Sequence, residues 1–445
     1  MKKIYFLAAI ALVAGVSCTK QVPVTNNGPE TPIAFSPISQ RVGTKANVFG
    51  EQNATYTAQN SGAYEAFAAW SYYTASNATN PQANSAPAAG SEFFANVTCE
   101  HVAGTNNDYW APSSETYYWP KAGFLSFHAL SPADFTKTST AHSWANGFTI
   151  TGYQAPAYTD ANAEGVTADG CQIDLLYSDF VFNKKRSDFT ATGNTVELYD
   201  DETDDGAYKH DGVDLTFRHA LSTILFQAKT NIDYKGTRTQ QHKFIVRKIE
   251  VLNAYNTGNF YENRTDDVDN KYEIPGDMTG KIGMHKGNEA GIDTDDDSTP
   301  DQGTPYWSTF SNEVTLTPYD VTAAAAGTGS EATSTSGNTQ IGQTLIALPQ
   351  NLAAGNAVQV RVTFEYSFSS DGGTIWSSPF TQTLTLDLGG KTGNYGVDNS
   401  YVVNDWLINH KYTYTLVFKL DPIIFDPAVE AFVEVDDITV ELPQI

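Results

Sequence analysis

The stretch Val213–Thr230, VDLTFRHALSTILFQAKT, decides the fold. Its apolar residues keep one two-residue phase up to about Ala220 and the opposite phase after it, so the buried face changes sides there. A single strand of this length would run to about 60 Å at roughly 3.3 Å per residue, well beyond an ordinary strand. We therefore predict a long strand with a bulge, or a change of sheet, near Ala220.

The chain on either side of this stretch repeats the strand signal. Lys243–Tyr255, KFIVRKIEVLNAY, alternates apolar and polar residues, and so do Val358–Phe368 and Tyr412–Leu420. Alternation of this kind predicts strands with one buried face. Tyr64–Tyr72 alternates as well, although its alanines would also fit a helix. We predict strands throughout the chain and very little helix.

Length and composition set the number and class of domains. A chain of 445 residues is too long for one β-sandwich core and predicts two domains of about 200 residues each. Abundant Tyr, Phe and Gly, with only three Met, favour sheet and turn over helix. The predicted fold class is all-β, with two tandem antiparallel β-sandwich domains over 32–235 and 236–445.

The charge balance excludes one class of partner. With 26 Lys and Arg against 51 Asp and Glu, the net charge of −25 repels phosphate backbones, so no nucleic acid is expected as a partner. The acidic runs Asp200–Asp205 and Asp293–Asp297 are typical of solvated loop tips. A calcium loop at the second run would lack its sixth-position Gly and its bidentate carboxylate. We predict no metal site and no cofactor.

The N-terminus carries an export signal. Lys2 and Lys3 precede an apolar run, Ile4–Val13, which is too short to cross a bilayer. Residues 1–17 are therefore interpreted as a signal peptide. The segment resembles a bacterial lipoprotein signal that ends at Cys18, although Gly15 stands where Leu is usual. Lipidation of Cys18, for example with palmitate, would attach the chain to a membrane through the polar tether 18–31. Ordinary secretion is the alternative.

Two further cysteines follow Cys18. Cys99 and Cys171 would lie in an oxidising compartment after export, so they could form a disulfide. No CxxC motif or Cys/His spacing indicates zinc or redox chemistry.

Several segments, taken in their order and spacing, resemble one known family. They are Ile33–Phe35 with Arg41, Tyr118–Pro120, Leu125–Pro132, Leu215–Ser222, Ile249–Asn253 with Gly258, Leu348–Gln350, Tyr412–Leu416 and Ile424–Pro427. Together they resemble the fimbrillin-like family of Bacteroidales, from Cys18 nearly to the end of the chain. The resemblance implies two transthyretin-like domains in a structural, non-enzymatic subunit of a type V pilus, which supports adhesion. The precursor would be a lipoprotein of the cell outer membrane, and the mature subunit would join other pilin subunits in a surface fimbrium.

The resemblance also implies maturation by a trypsin-like protease. Such a protease would cut after Arg41, or after Lys45 as the fallback, and remove the first strand, 32–41. The apolar residues lost with that strand are Ile33, Phe35 and Ile38. A strand from a neighbouring subunit would then fill the groove by donor-strand exchange.

The C-terminal tail is the candidate donor. Ile438, Val440 and Leu442 alternate within 437–445, beyond the last core strand that we predict. Their burial would contribute about 5–9 kcal/mol, which roughly matches the entropy lost on ordering the segment. An unpaired sheet edge on the next subunit would therefore decide where the tail binds. The alternative is that the tail closes its own second domain. A tip subunit would need no donor tail, so the tail favours a stalk subunit.

Two other functions, an enzyme and a glycan binder, fit the sequence less well than a pilin. The nearby residues Asp214, His219 and Ser222 could suggest a catalytic triad, but His219 is in phase with apolar neighbours and no nucleophile elbow is present. No carboxylate pair has the context of a glycosidase. The aromatic cluster Tyr117–Trp119 could stack on sugars, so a surface-exposed glycan-binding lipoprotein is the alternative function.

Overall fold

The computed structural model describes residues 32–39, 47–48, 66–75, 91–104, 107–133, 140–155, 174–185, 199–200, 209–210, 212–230, 241–263, 305–317, 330–332, 339–341, 345–353, 357–372, 374–395, 399–418 and 424–431. Within these ranges the long regular elements are all β-strands, which confirms the all-β fold class. No helix in this part of the chain is long and apolar enough to cross a membrane.

The strands in the first half of the chain are β1 Phe35–Ser39, β2 Asn47–Val48, β3 Ala66–Thr74, β4 Ser91–Gly104, β5 Asn107–Pro112, β6 Phe124–Ser131, β7 Thr140–Ser143, β8 Gly147–Gln154, β9 Leu176–Ser178, β10 Val181–Lys184, β11 Tyr199–Asp200, β12 Lys209–His210, β13 Val213–His219 and β14 Ser222–Thr230. The second half holds β15 Gln241–Tyr261, β16 Tyr306–Leu316, β17 Ser330–Ala332, β18 Thr339–Gln340, β19 Leu345–Ala347, β20 Gln350–Asn351, β21 Gln359–Ser369, β22 Phe380–Asp387, β23 Lys391–Tyr395, β24 Asn399–Val403, β25 Asp405–Trp406, β26 His410–Phe418 and β27 Ile424–Ala431. The Ala-rich segment is strand β3, so its helical alternative is wrong.

The N-terminal strands form a nine-stranded sheet that closes on itself. Its order runs β6, β3, β4, β5, β1, β13, β9, and β9 pairs back with β6 through Leu130↔Tyr177 and Ser131↔Leu176. Strand β10 also pairs with β6, through Val181↔Phe127 and Lys184↔Leu125, and β2 pairs with β1. The ring encloses a core rich in aromatic side chains, which includes Phe35, Phe67, Phe127 and Phe217.

The C-terminal strands form a sandwich. One layer has five strands around β14 and β26, and the other has seven strands centred on β15, which pairs with β21, β16, β17 and β8. Their facing side chains, such as Phe226, Phe244, Phe364 and Tyr414, make one buried cluster. Pairing in the described ranges is antiparallel, as predicted, apart from the pairs β1–β13 and β14–β26, which are parallel.

The stretch Val213–Thr230 changes sheet near Ala220, which is one of the two alternatives predicted from the sequence. Strand β13 ends at His219 in the first sheet, and β14 begins at Ser222 beside β26. The two phases of apolar residues therefore point into two different cores. The long bulged strand, which was the other alternative, does not occur, because Ala220 and Leu221 interrupt the pairing.

Strand β15 links the two halves of the fold. Its first part pairs with β21 in the C-terminal sandwich, whereas Thr257–Tyr261 pairs with β8. Phe260 near its end joins a third cluster with Trp70 of β3, Phe148 of β8 and Trp307 of β16. The division into domains 32–235 and 236–445, each transthyretin-like, stays a prediction. The change of sheet at Ala220 lies inside the first of those ranges.

Candidate functional site

The first strand completes the N-terminal ring. Its segment begins at Pro32, which makes an isolated bridge with Tyr118, and the Ile33 N–H donates to the Tyr117 carbonyl at 2.8 Å. Strand β1 then meets β5 through the pair Phe35↔Trp110. Trp110 is not among the residues predicted from the sequence, and Tyr117 and Tyr118 are predicted only as parts of motifs. The closely spaced aromatic residues in this part of the sequence were the signal that these side chains pack around a buried strand.

The other side of β1 is held by β13. The two strands run parallel in the register Phe35↔Val213 to Ser39↔Phe217, and the Val213 N–H donates to the Ala34 carbonyl at 2.9 Å. The first strand is therefore inserted between β5 and β13, and it is an internal strand of the sheet. Without it, both neighbours would present unpaired backbone groups.

The apolar residues of β1 are anchors in the ring. Ile33 is 1% exposed and Phe35 is 0% exposed. The ring of Phe35 meets the rings of Phe67 and Phe127 edge-on, with centroids 5.7 and 5.4 Å apart. Burial of two such side chains contributes about 3–6 kcal/mol, and each edge-on pair adds about 0.5–1.5 kcal/mol. Ile38 is the third residue predicted to be lost with this strand, and its side chain lies outside the described part of the structure.

The walls around Phe35 would form a groove if β1 were absent. Phe67, Phe127, Val213, Leu215 and Phe217 are all buried around it. Phe67 and Phe217 also pack against each other, with centroids 5.5 Å apart, so these two walls touch beneath the strand. The groove would combine an apolar floor with the free edge of β13, which is what a replacement strand requires.

The predicted cleavage residues fall between two paired strands. Ile38 and Ser39 of β1 pair antiparallel with Val48 and Asn47 of β2. Arg41 and Lys45 lie between these pairs in the sequence but outside the described residues. A cut after either would leave Pro32–Ser39 held in the ring by non-covalent contacts alone.

The predicted donor segment follows the last described strand. Strand β27 pairs antiparallel with β26, and Ala431 at its end lies opposite His410. Ile438, Val440 and Leu442 lie outside the described residues, as do Cys18 and the signal peptide.

The cysteines give one finding. Cys99 on β4 is fully buried and has no disulfide partner among the described residues, and its Sγ lies 3.7 Å from the Val97 carbonyl. Burial, with a smaller contribution from Glu100, raises the pKa of the Cys99 thiol well above its usual range. Cys171 lies outside the described residues, so the disulfide between the two stays a prediction.

The residues considered for catalysis do not assemble. His219 Nδ1 pairs with the Asp174 carboxylate, whereas the Ser222 hydroxyl donates to the Leu407 carbonyl at 2.8 Å. Within the described ranges, no group of three His, Cys, Asp or Glu side chains could hold a metal ion.

The aromatic cluster considered for sugars is largely structural. Trp119 is buried, and its ring packs edge-on against Phe127 with centroids 5.6 Å apart. Tyr117 packs against Phe94, with centroids 4.8 Å apart. Tyr118 is the exposed member, at 41%.

Comparisons with known proteins point to one family. A family model described as fimbrillin-like matches residues 58–431. No curated protein matches the chain.

Among solved structures, a fimbrial protein from Bacteroides vulgatus is 14% identical, with a TM-score of 0.44, over 91% of this chain and 100% of its own. The tip fimbrial protein Mfa3 from Porphyromonas gingivalis, with a C-terminal truncation, is 10% identical, with a TM-score of 0.32, over 93% and 100%. A fimbrial assembly protein from Parabacteroides distasonis is 8% identical, with a TM-score of 0.33, over 92% and 99%. At these levels of similarity, none of the three assigns a role to a residue of this chain.

Proposed function

This chain belongs to the fimbrillin-like family, and from that premise we propose that it is a pilin-type adhesion subunit that assembles by donor-strand exchange. In this proposal a trypsin-like protease removes β1 from the precursor. A strand from a neighbouring subunit then takes its place between β5 and β13. The protein acts through its shape and its contacts, and not as an enzyme.

The position of β1 is the observation that carries the proposal. Strand β1 precedes every other described strand in the sequence, so a single cut after it severs its covalent link to the rest of the fold. Its loss would expose the side chains around Phe35 together with the edge of β13. An exposed apolar groove beside a free strand edge strongly favours the binding of another strand.

The C-terminal tail has the length to serve as the donor. The chain continues past Ala431 from position 432 to 445, which is fourteen residues. Fully extended, these would reach about 46 Å, whereas the eight residues Pro32–Ser39 span about 26 Å. Ile438, Val440 and Leu442 alternate as a strand in the groove requires, and would replace the burial lost with Ile33 and Phe35.

The remaining parts of the proposal concern location. Lipidation of Cys18 would hold the precursor at the outer membrane, next to the protease that matures it. Removal of residues up to Arg41 would also remove the lipid anchor. Departure of the cut strand from the ring would therefore release the subunit from the membrane and open its groove in the same step.

The test uses the full chain with Cys18→Ala, to prevent lipidation, treated with trypsin at low dose. We expect one main new N-terminus after Arg41 or Lys45, and polymers by native gel and electron microscopy. Arg41→Gln combined with Lys45→Gln is the matched control, which should stay uncut and monomeric. Deletion of 437–445 should leave cleavage intact and abolish polymers.

Two outcomes would overturn the proposal. One is a chain that is cut at this site, keeps its tail and stays monomeric. The other is polymer formation by the uncut double variant. If an uncut monomer bound polysaccharide, the glycan-binding alternative would replace the pilin proposal.

A further inference from the structure

A network of hydrogen-bonded polar side chains crosses the third core cluster. Tyr72 Oη lies 2.6 Å from His142 Nδ1, and His142 Nε2 lies 2.7 Å from His128 Nδ1. His128 Nε2 lies 2.8 Å from the Ser178 carbonyl and 3.2 Å from Glu262 Oε1. The network therefore joins β3 and β6 of the N-terminal ring to β7 and to Glu262, the residue that follows β15.

The members of this network differ in burial. The side chains of His128 and Glu262 are fully buried, whereas His142 is half-buried and lies nearest to solvent. The rings of Phe148 and Phe180 stack on His128, with centroids 4.2 and 3.8 Å away. Protons can therefore reach the network at His142.

The acceptors determine where the protons lie when both imidazoles are neutral. His128 Nε2 faces two oxygen acceptors, so it carries the proton and Nδ1 is the acceptor. His142 then donates from Nε2 and accepts the Tyr72 hydroxyl proton at Nδ1. The hydrogen bonds all point the same way, towards the Glu262 carboxylate, which also accepts the Phe148 N–H at 2.7 Å.

One added proton fits this arrangement. If His128 becomes an imidazolium, its Nδ1 donates to His142 Nε2. The one N–H of the neutral His142 is then on Nδ1, where it donates to Tyr72 Oη. The positive charge then lies beside Glu262, which stabilises it. A second proton does not fit, because N–H donors on His128 and His142 would point at each other across 2.7 Å.

The surrounding charges do not relieve that conflict. Asp179, next to the stacked Phe180, is engaged by the Arg218 guanidinium through hydrogen bonds of 2.5 and 2.8 Å. Tyr177 on β9 is a neutral phenol, because burial raises its pKa. Glu262 is thus the acidic partner that the described contacts bring to His128.

We propose that His128, His142 and Glu262 form a pH-sensitive latch, which accepts one proton and opens on the second, releasing the β7–β8 hairpin from β6. The basis is the direct imidazole–imidazole contact between these elements, and it is independent of the strand-exchange proposal. In acid the unfolded chain binds two protons at these histidines and the closed latch binds one.

The test compares the pH dependence of unfolding in urea for the full chain and for His142→Gln. Glutamine can accept from His128 and from Tyr72 but takes no proton. Between about pH 6 and pH 4.5 the folding equilibrium constant of the unmodified chain should fall about tenfold more per pH unit than that of the variant, which corresponds to one proton. His101→Gln, at an exposed position on β4, is the matched control and should keep the steep dependence.

A second measurement covers the case in which His142→Gln does not fold. Imidazole ¹⁵N spectra of the unmodified chain report the protonation of each ring. We expect the folded form to hold one imidazolium between the two rings, and protection of the Phe148 amide from exchange to be lost with the second proton. Two imidazolium rings with Phe148 still protected, or equal slopes for the unmodified chain and His142→Gln, would overturn the latch.

Discussion

Phe35 and Val213 lie opposite each other in a parallel pair, although the strands that bear them begin and end the N-terminal ring along the chain. Both side chains are fully buried, so β1 contributes to the core of the ring as well as to the pairing of its sheet. A strand that supports the core so strongly should leave a measurable defect when it is weakened.

Replacement of Phe35 by Ala should lower the free energy of unfolding of the uncleaved chain by about 3–5 kcal/mol, because it leaves a cavity among aromatic rings. Urea unfolding would measure the loss. Phe380→Ala, at a position 60% exposed on β22, should change stability by less than about 0.5 kcal/mol. Equal effects from the two variants would mean that β1 does not stabilise the ring.

The change of sheet at Ala220 should depend on Trp307. The Trp307 indole N–H donates to the Ala220 carbonyl at 2.7 Å, in a fully buried position between β13 and β14. Trp307→Phe should lower the free energy of unfolding by about 1–3 kcal/mol, because the carbonyl loses its donor as well as some packing. Tyr306→Phe, at the half-buried neighbouring position, should have a smaller effect in the same unfolding experiment. An effect of Tyr306→Phe as large as that of Trp307→Phe would contradict this role.

The sequence carries the strand pattern but not the partners. The buried faces of β13 and β14 follow from alternation, because period and phase are local properties. The parallel pairing of β1 with β13 does not follow, since alternation does not say which strand lies alongside. The link between His128 and Glu262 has no local signal either, because the two residues meet only through the pairing of sheets.

Gly258 shows how a local signal can mislead. The strand predicted over Lys243–Tyr255 ends before this glycine, yet β15 runs on to Tyr261. A Cβ at Gly258 would lie 3.1 Å from the Phe310 ring and 3.3 Å from Trp307. The glycine therefore permits close packing inside a strand, which a sequence cannot distinguish from a turn.

Acid should weaken the C-terminal sandwich through Glu250. The Glu250 carboxylate on β15 accepts from Arg361 on β21 at 2.8 Å and pairs with Lys248 at 2.7 Å. The Arg361 guanidinium, with Lys248, lowers the pKa of Glu250 to about 2. Because the folded value lies below the unfolded one, this stabilisation is present above about pH 4.5 and is lost as the pH falls towards 2.

Glu250→Gln should remove that pH dependence. We expect the variant to unfold more easily than the unmodified chain at pH 6, by about 1 kcal/mol, and the difference to shrink towards zero near pH 2. Glu92→Gln, on the exposed face of β4, is the control and should show no such convergence. A constant gap between Glu250→Gln and the unmodified chain across this range would mean that the carboxylate's charge is not the source of the stabilisation.

The thiol of Cys99 should react only when the ring unfolds. It is fully buried, and its raised pKa keeps it protonated, so an alkylating reagent at pH 8 should leave it unmodified in the native chain. In denaturant without reductant, mass spectrometry of the Cys18→Ala chain should show alkylation at Cys99. Modification of Cys99 that appears only after a reductant is added would instead establish a disulfide with Cys171. That outcome would also show that the chain between β8 and β9 is tied to β4, which the free thiol does not require.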